Sequence, residues 1–340
     1  METPESFAFI GNQQVGGALA DGLARAGFHP VEPMSDADAI ITYCTSQEDL
    51  EEVYLGEEGL IALAAEGTLL IDCSATTPSF SKELAAVAAV NDLRMVEAPL
   101  YVNDVTRDDA FAERGNLSVL AAGEDSDVAA CKPLLEAFAG TVVPCGAAGS
   151  AQVAKCALTL QQALRIMGQV ESDALCRAVA GPAGAAQARC AVAQVGGQSP
   201  QSSALAHAIE QGEFASGYTV DMMLGELHAA LNQADESDLI TPLGESAEYL
   251  LRLLAMVGGI DLAPSALTLM YRDEDECAKH GLDWSRAEAF FVHEHEEDDD
   301  DPYGYDESDE EFHKHQHRHH HDDDAGFDGF GSFYGDYSAN

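Results

Sequence analysis

The chain is poor in positive charge: 16 Lys and Arg stand against 60 Asp and Glu in 340 residues, a formal net charge of −44. A field of that sign repels nucleic-acid phosphates and anionic lipid, so neither is expected as a partner. The eight cysteines include no Cys-x-x-Cys pair and no zinc-finger spacing. Several lie inside apolar runs, where a free thiol behaves as a small hydrophobe. No apolar run approaches the roughly 20 residues that a membrane-spanning helix needs. The opening Met1-Glu-Thr-Pro-Glu-Ser6 has neither the basic region nor the apolar stretch of a secretory signal. These absences lead to the expectation of a reduced, cytoplasmic protein.

What is present is enough apolar material, 46% of residues, to build two full cores. Short apolar runs at Phe7–Ile10, Ala39–Tyr43, Thr68–Asp72, Leu93–Glu97, Leu117–Ala121 and Thr141–Val143 alternate with helical stretches. That alternation predicts a doubly wound, parallel α/β sheet. After Gly149 the pattern becomes helical throughout, with segments near 151–180, 183–195, 200–212, 219–234, 242–257 and 263–285 and breaks at Gly181-Pro182, Gly196-Gly197 and Gly258-Gly259. The expected organisation is a Rossmann-type α/β domain over 1–147, an all-α domain over 148–290 and a disordered tail over 291–340. From Phe291 onward there are 17 acids, two bases and eight of the twelve histidines, a composition unable to bury a core.

Two features carry chemistry. The first is the strand–Gly11-Asn12-Gln13-Gln14-Val15-Gly16–helix sequence, where a dinucleotide phosphate loop belongs. Gly11 suits a tight turn and Gly16 suits close helix–strand packing, while Gln13 occupies the place of the middle glycine. A plain strand–turn–helix has the same appearance. The second is Lys155. The polar residues Gln152, Lys155, Thr159, Gln162 and Gln169 share roughly one face of an otherwise apolar helix. A single cation on such a stripe is either held at a site or snorkels from a buried helix to water.

Taken in order, several segments resemble the β-hydroxyacid dehydrogenase family, which includes 3-hydroxyisobutyrate dehydrogenase and is related to 6-phosphogluconate dehydrogenase. Asp72-Cys-Ser74-Ala-Thr-Thr-Pro78 is similar to its Asp-x-Ser-Thr-x-x-Pro segment, and Glu97-Ala-Pro99 with Gly115-Asn-Leu117 to its Asp-Ala-Pro and Gly-x-Leu segments. Gly149-Ser-Ala-Gln152-Val-Ala-Lys155 is similar to the Gly-x-Gly-x-x-x-Lys signature, and Gly259-Ile-Asp261 with Ser265-Ala-Leu267 to the C-terminal motif. The resemblance spans about residues 6–275. It implies an NAD- or NADP-dependent oxidoreductase acting on a small hydroxy acid or related carbonyl compound. Lys155 would then be the catalytic general acid/base. Gly11 to Gly16, Cys44, Thr45 and Ser74 would hold cofactor, and Tyr101, Asn103, Gln152 and Thr159 would face substrate. It also implies a homodimer or larger assembly.

Departures from the family pattern qualify that picture. Tyr101-Val102-Asn103 stands where Ser-Gly-Gly binds a substrate carboxylate, Thr159 where an asparagine follows the lysine, Ala75 where a threonine belongs, and Gly225, before Glu226, where a second lysine belongs. Most of a strand–helix unit is missing before Ala39. Glu32 there is either a ribose acceptor or a surface acid. The acid preferred by typical relatives is therefore not the expected substrate. The competing expectation is a family member that has lost catalysis and serves as a binding or scaffold protein. In the tail, His313, His315, His317 and His319 to His321 beside Asp322 to Asp324 offer weak divalent-metal ligands, with a solubilising tail as the alternative. No bound metal is expected at the catalytic site.

Overall fold

A computed structural model of the protein describes residues 3–196 and 199–287, apart from the side chains of 182 and 183. The chain divides into two compact units, Met1–Ala289 and Phe290–Asn340, and every described residue belongs to the first. The histidine-rich tail and its expected metal binding lie outside the described residues.

The N-terminal half is a single eight-stranded sheet. Its strands are β1 (Ser6–Gly11), β2 (His29–Pro30), β3 (Ala39–Tyr43), β4 (Leu69–Asp72), β5 (Arg94–Glu97), β6 (Leu100–Val102), β7 (Leu117–Gly123) and β8 (Thr141–Gly146), in the order β2-β1-β3-β4-β5-β7-β6 with β8 on β7. All five residues of β3 and all four of β4 are buried, as befits strands covered on both faces by helices. The helices are α1 (Gln13–Ala26), α2 (Gln47–Leu55), α3 (Leu60–Leu63), α4 (Pro78–Val90) and α5 (Asp125–Phe138). The sheet is mixed rather than wholly parallel, because β7 runs antiparallel to both β5 and β6. The chain reverses between Val102 and Leu117, since β5 and β6 share one continuous register against β7, from Val96 opposite Gly123 to Val102 opposite Leu117. β2 has only two residues, so the short segment before Ala39 gives an abbreviated edge.

From Ser150 the chain is helical. α6 spans Ser150–Gly196 but is broken at Gly181, whose φ of 66° and ψ of 176° are not helical. Arg189 Nη1 lies 3.1 Å from Asp173 Oδ1. Sixteen residues of continuous helix would hold those Cα atoms about 24 Å apart, so α6 doubles back at Gly181. α7 (Pro200–Gln211), α8 (Val220–Glu236) and α9 (Pro242–Leu254) pack against α6. The helix expected over 263–285 is instead a 3₁₀ segment, Pro264–Tyr271, followed by a new helix, α10 (Glu274–Lys279). Asp273 accounts for the restart, since its carboxylate caps the Glu276 N–H. Among the described residues no single helix is long and apolar enough to cross a membrane.

The hairpin in α6 is held by charge. Asp173 is 1% exposed and is ion-paired to Arg177, Arg189 and, at 3.7 Å, Arg272. Removing the carboxylate leaves three guanidinium groups facing one another. The Asp173→Ala variant should therefore lose about 3 kcal/mol of stability by denaturant unfolding, well beyond a surface ion pair.

Candidate functional site

The glycine turn after β1 is built for close backbone approach. Gly11 has φ +112°, and a Cβ there would overlap the Tyr43 carbonyl of the neighbouring strand. A Cβ on Gly16 would run into the Phe9 ring, so this residue lets α1 lie flat on β1. Asn12 caps α1 by accepting from the N–H groups of Gln14 and Val15. Gln13 and Gln14 are exposed at this terminus, and α1 has no acidic residue in its first turn to oppose a phosphate. These residues fit a dinucleotide. Glu32 is exposed beyond β2.

The loops that follow β3 and β4 are tied together and then to α6. The Cys44 N–H donates to Ser74 Oγ, at 2.9 Å. Gln47 Oε1 accepts from Thr76 Oγ1 and from both the N–H and hydroxyl of Thr77. Gln152 on α6 closes the set, donating Nε2 to the Ser74 carbonyl and accepting from the Thr76 N–H. Both ends of its amide are thus committed to backbone. Although expected to face substrate, Gln152 positions the loop around Ser74.

Beneath these loops lies Asp72, fully buried, accepting from Thr42 Oγ1 and the Ser74 N–H. Burial raises its carboxyl from 3.8 to about 6, against the opposing pull of the Ser74 and Thr42 hydrogen bonds. A carboxyl raised on folding stabilises the native state fully only below its unfolded value, and that contribution is lost as pH climbs through the folded one. The stability difference between the wild type and Asp72→Asn should consequently move against the wild type between about pH 4 and pH 6, and level off above it. A flat difference across that range in paired melts would show that Asp72 ionises on folding as it does in the open chain.

Lys155 is fixed from both sides. Upstream, Glu97 accepts from the Gly149 and Ala151 N–H groups at the start of α6, and Ser81 donates to the same carboxylate. An acid at a helix N-terminus satisfies orphan donors and complements the dipole. Downstream, the side chains of Gln152, Lys155, Thr159 and Gln162 are all nearly or wholly excluded from solvent. The polar stripe therefore faces the interior, and Lys155, only 1% exposed, does not snorkel to water.

Its partner is Glu226 of α8. Nζ lies 2.7 Å from Glu226 Oε1, and Thr159 Oγ1 donates to Oε2 at 3.2 Å. The contact is a close ion pair of poor hydrogen-bond angle, which leaves N–H groups of Nζ available to a further acceptor. The Tyr101 ring stands 5.7 Å from Nζ. Tyr218 is buried on the same side, in an aromatic cluster with Phe111 and Tyr43. Its hydroxyl approaches Glu226 without reaching hydrogen-bond geometry. Burial first, and then the Glu226 carboxylate, push that hydroxyl well above the usual tyrosine range, so it stays protonated. Asn103, by contrast, donates Nδ2 to the Asn116 carbonyl and Ser118 Oγ. Its amide braces a turn instead of facing Lys155.

Glu226 and Tyr218 were not candidates in the sequence, where Glu226 is one acid among 60. The residue before it explains part of the site's shape. A Cβ on Gly225 would overlap the Thr45 carbonyl, so α8 rests directly on the loop after β3. No lysine fits there while that contact stands. Gly225→Ala should push helix and loop apart at a cost of about 1–3 kcal/mol, read as a lowered melting temperature, and should leave Lys155 more accessible to amine-modifying reagents.

Residues 10–146 match a family model described as the NAD-binding domain of 6-phosphogluconate dehydrogenase. The chain is 28% identical over 256 residues to the NAD-dependent L-serine dehydrogenase of Pseudomonas aeruginosa, covering 71% of this chain and 82% of that one. It is 27% identical over 302 residues to 3-hydroxyisobutyrate dehydrogenase of the same organism, covering 79% and 99%. With the oxidoreductase YkwC of Bacillus subtilis it shares 30% identity over 215 residues, 59% of this chain and 67% of the other. In three dimensions the fold matches Mycobacterium tuberculosis 3-hydroxyisobutyrate dehydrogenase solved with L-serine, with a TM-score of 0.65 at 22% identity over 80% of this chain and 100% of that one.

Proposed function

Because the chain belongs to the β-hydroxyacid dehydrogenase family and carries its NAD(P)-binding half, we propose that it oxidises a small hydroxy compound, or reduces the matching carbonyl compound, with Lys155 as general acid/base. The observation that supports this most is the burial of Lys155: a lysine 1% exposed on the first turns of α6, aimed inward beside the Glu226 carboxylate. The ion pair with Glu226 engages one side of the ammonium, and a substrate oxygen at Nζ would accept from another of its three N–H groups.

Bound NAD or NADP supplies the nicotinamide that takes or gives the hydride. Gly11, Asn12, Gln13, Gln14, Val15 and Gly16 would carry its phosphates on the α1 terminus, with Cys44, Thr45 and Ser74 lining the loops beside it. Lys155 holds the substrate oxygen and exchanges its proton. Tyr101 and Thr159 flank the ammonium, Thr159 by fixing Glu226. Glu97 and Gln152 act at one remove, the first by anchoring the start of α6 and the second by locking the Ser74 loop.

Two measurements test the reading. A cofactor at a hundred times its dissociation constant adds about 2.7 kcal/mol of stability, so NAD or NADP should raise the melting temperature by several degrees. Lys155→Ala should keep that shift and lose turnover about 10³-fold, the scale of general acid–base catalysis. Turnover unchanged in the variant would exclude the lysine. No shift with either cofactor at millimolar concentration would instead favour a family member that binds or scaffolds without catalysis.

A further inference from the structure

Three buried polar atoms on or beside this face of α6 make no well-angled hydrogen bond: Lys155 Nζ, which is ion-paired to Glu226, the Tyr218 hydroxyl and Gln162 Oε1. Each belongs to a side chain at most 2% exposed. The first two are donors that approach the same carboxylate, Glu226. The third is an acceptor two turns along α6 from Lys155, held in place because its Nε2 donates to the Val102 carbonyl at 2.9 Å. Buried groups of this kind are unfavourable unless a ligand completes them. Two donors beside one carboxylate can share a single oxygen able to accept twice, whereas Gln162, about 10 Å farther along the helix, lies beyond a small ligand held there.

Charge narrows the class further. Glu226 has no second cation partner among the described residues, and it cancels the one cation paired with it. Tyr101-Val102-Asn103 offers no replacement, since the Asn103 amide is spent on Asn116 and Ser118. A carboxylate entering here would meet a neutral ion pair whose negative member is 7% exposed. In a poorly solvated site that repulsion is not screened. Resting on the dehydrogenase reading above, we propose that the site takes a small uncharged carbonyl or hydroxy compound. Its reacting oxygen is held jointly by Lys155 Nζ and the Tyr218 hydroxyl, and Glu226 excludes carboxylates. Tyr218 thereby becomes a second substrate-touching group, and Glu226 the residue that determines specificity.

The test uses isosteric dead-end ligands, isobutyramide and isobutyrate, titrated into the full-length protein saturated with whichever reduced cofactor raises its melting temperature. The amide presents a carbonyl oxygen and N–H groups, and the acid presents the same shape with a charge. Isobutyramide should bind at least tenfold more tightly. Glu226→Gln should improve isobutyrate binding about tenfold and narrow the gap. Tyr218→Phe should weaken isobutyramide at least fivefold while the cofactor-induced shift in melting temperature persists. Equal or tighter binding of isobutyrate by the wild type overturns the proposal, as does binding of neither ligand. An unaltered amide affinity in Tyr218→Phe removes Tyr218 from the site. Should one variant fail to fold, the wild-type comparison still decides. Failure of both cofactors to bind overturns the dehydrogenase reading itself, whereas cofactor binding with a preference for the acid overturns only this assignment.

Discussion

A buried carboxylate at the junction of the sheet and the helices determines where everything else in the site can stand. Glu97 ends β5 and receives the first N–H groups of α6 and the Ser81 hydroxyl, so the helix starts against the sheet edge at one fixed point. Hydrogen bonds to a charged group contribute about 1.5–3 kcal/mol each, and leaving the charge unpaired would cost more than their sum. Lys155 follows from that anchor by helical geometry alone, four residues and roughly one turn beyond Ala151. A shift in the start of α6 would rotate Lys155, Thr159 and Gln162 away together, because they ride on one face.

The Lys155–Glu226 pair sits on this foundation and is unfavourable to build. Two ions taken from water recover the cost of desolvation only with good geometry and additional hydrogen bonds. Here Glu226 accepts one from Thr159, and Lys155 adds none beyond its close contact with that carboxylate. A pair left incomplete in this way makes little sense as a device for stability. It makes sense as a site whose completion comes from a ligand, at the kind of position where polar groups are held ready and the rest of the fold bears the cost. Asp173 shows the contrast within the same helix: there the buried acid meets three arginines, and the cluster clamps the α6 hairpin.

Much of this was legible in the sequence, and what was missed has a common cause. The period of apolar runs located six strands, the change to helix after Gly149 and the break at Gly181, because period and glycine report on the backbone, whereas the direction of Lys155 stayed open between a held group and a snorkelling one. Strand direction was not visible: β6 is three residues long, and the reversal between Val102 and Leu117 has no distinctive composition. The last helical stretch was overextended because its apolar content continues through Pro264–Tyr271 as a 3₁₀ turn. Side-chain commitments were the least legible of all. Gln152 and Asn103 were expected to face substrate, and both spend their amides on backbone, a fact set by contacts 76 and 78 residues away in one case and 13 in the other. Glu226 and Tyr218 reach Lys155 only through the packing of α8 on α6, and no local pattern marks them.

The distribution of hydrogen bonds also indicates where the site can open. The loops after β3 and β4 are laced to each other and to α6 by Ser74, Gln47 and Gln152, all within buried or half-buried surroundings. Parting that seam would strand several polar groups at once. The seam between α8 and the Thr45 loop is different. Its close contact is steric, Gly225 against a carbonyl. The hydrogen bonds between α8 and α4, from Ser79 to Gln233 and Glu236, are exposed, so water can replace them at little cost. Gly225 is what allows that seam to close without a side chain in the way.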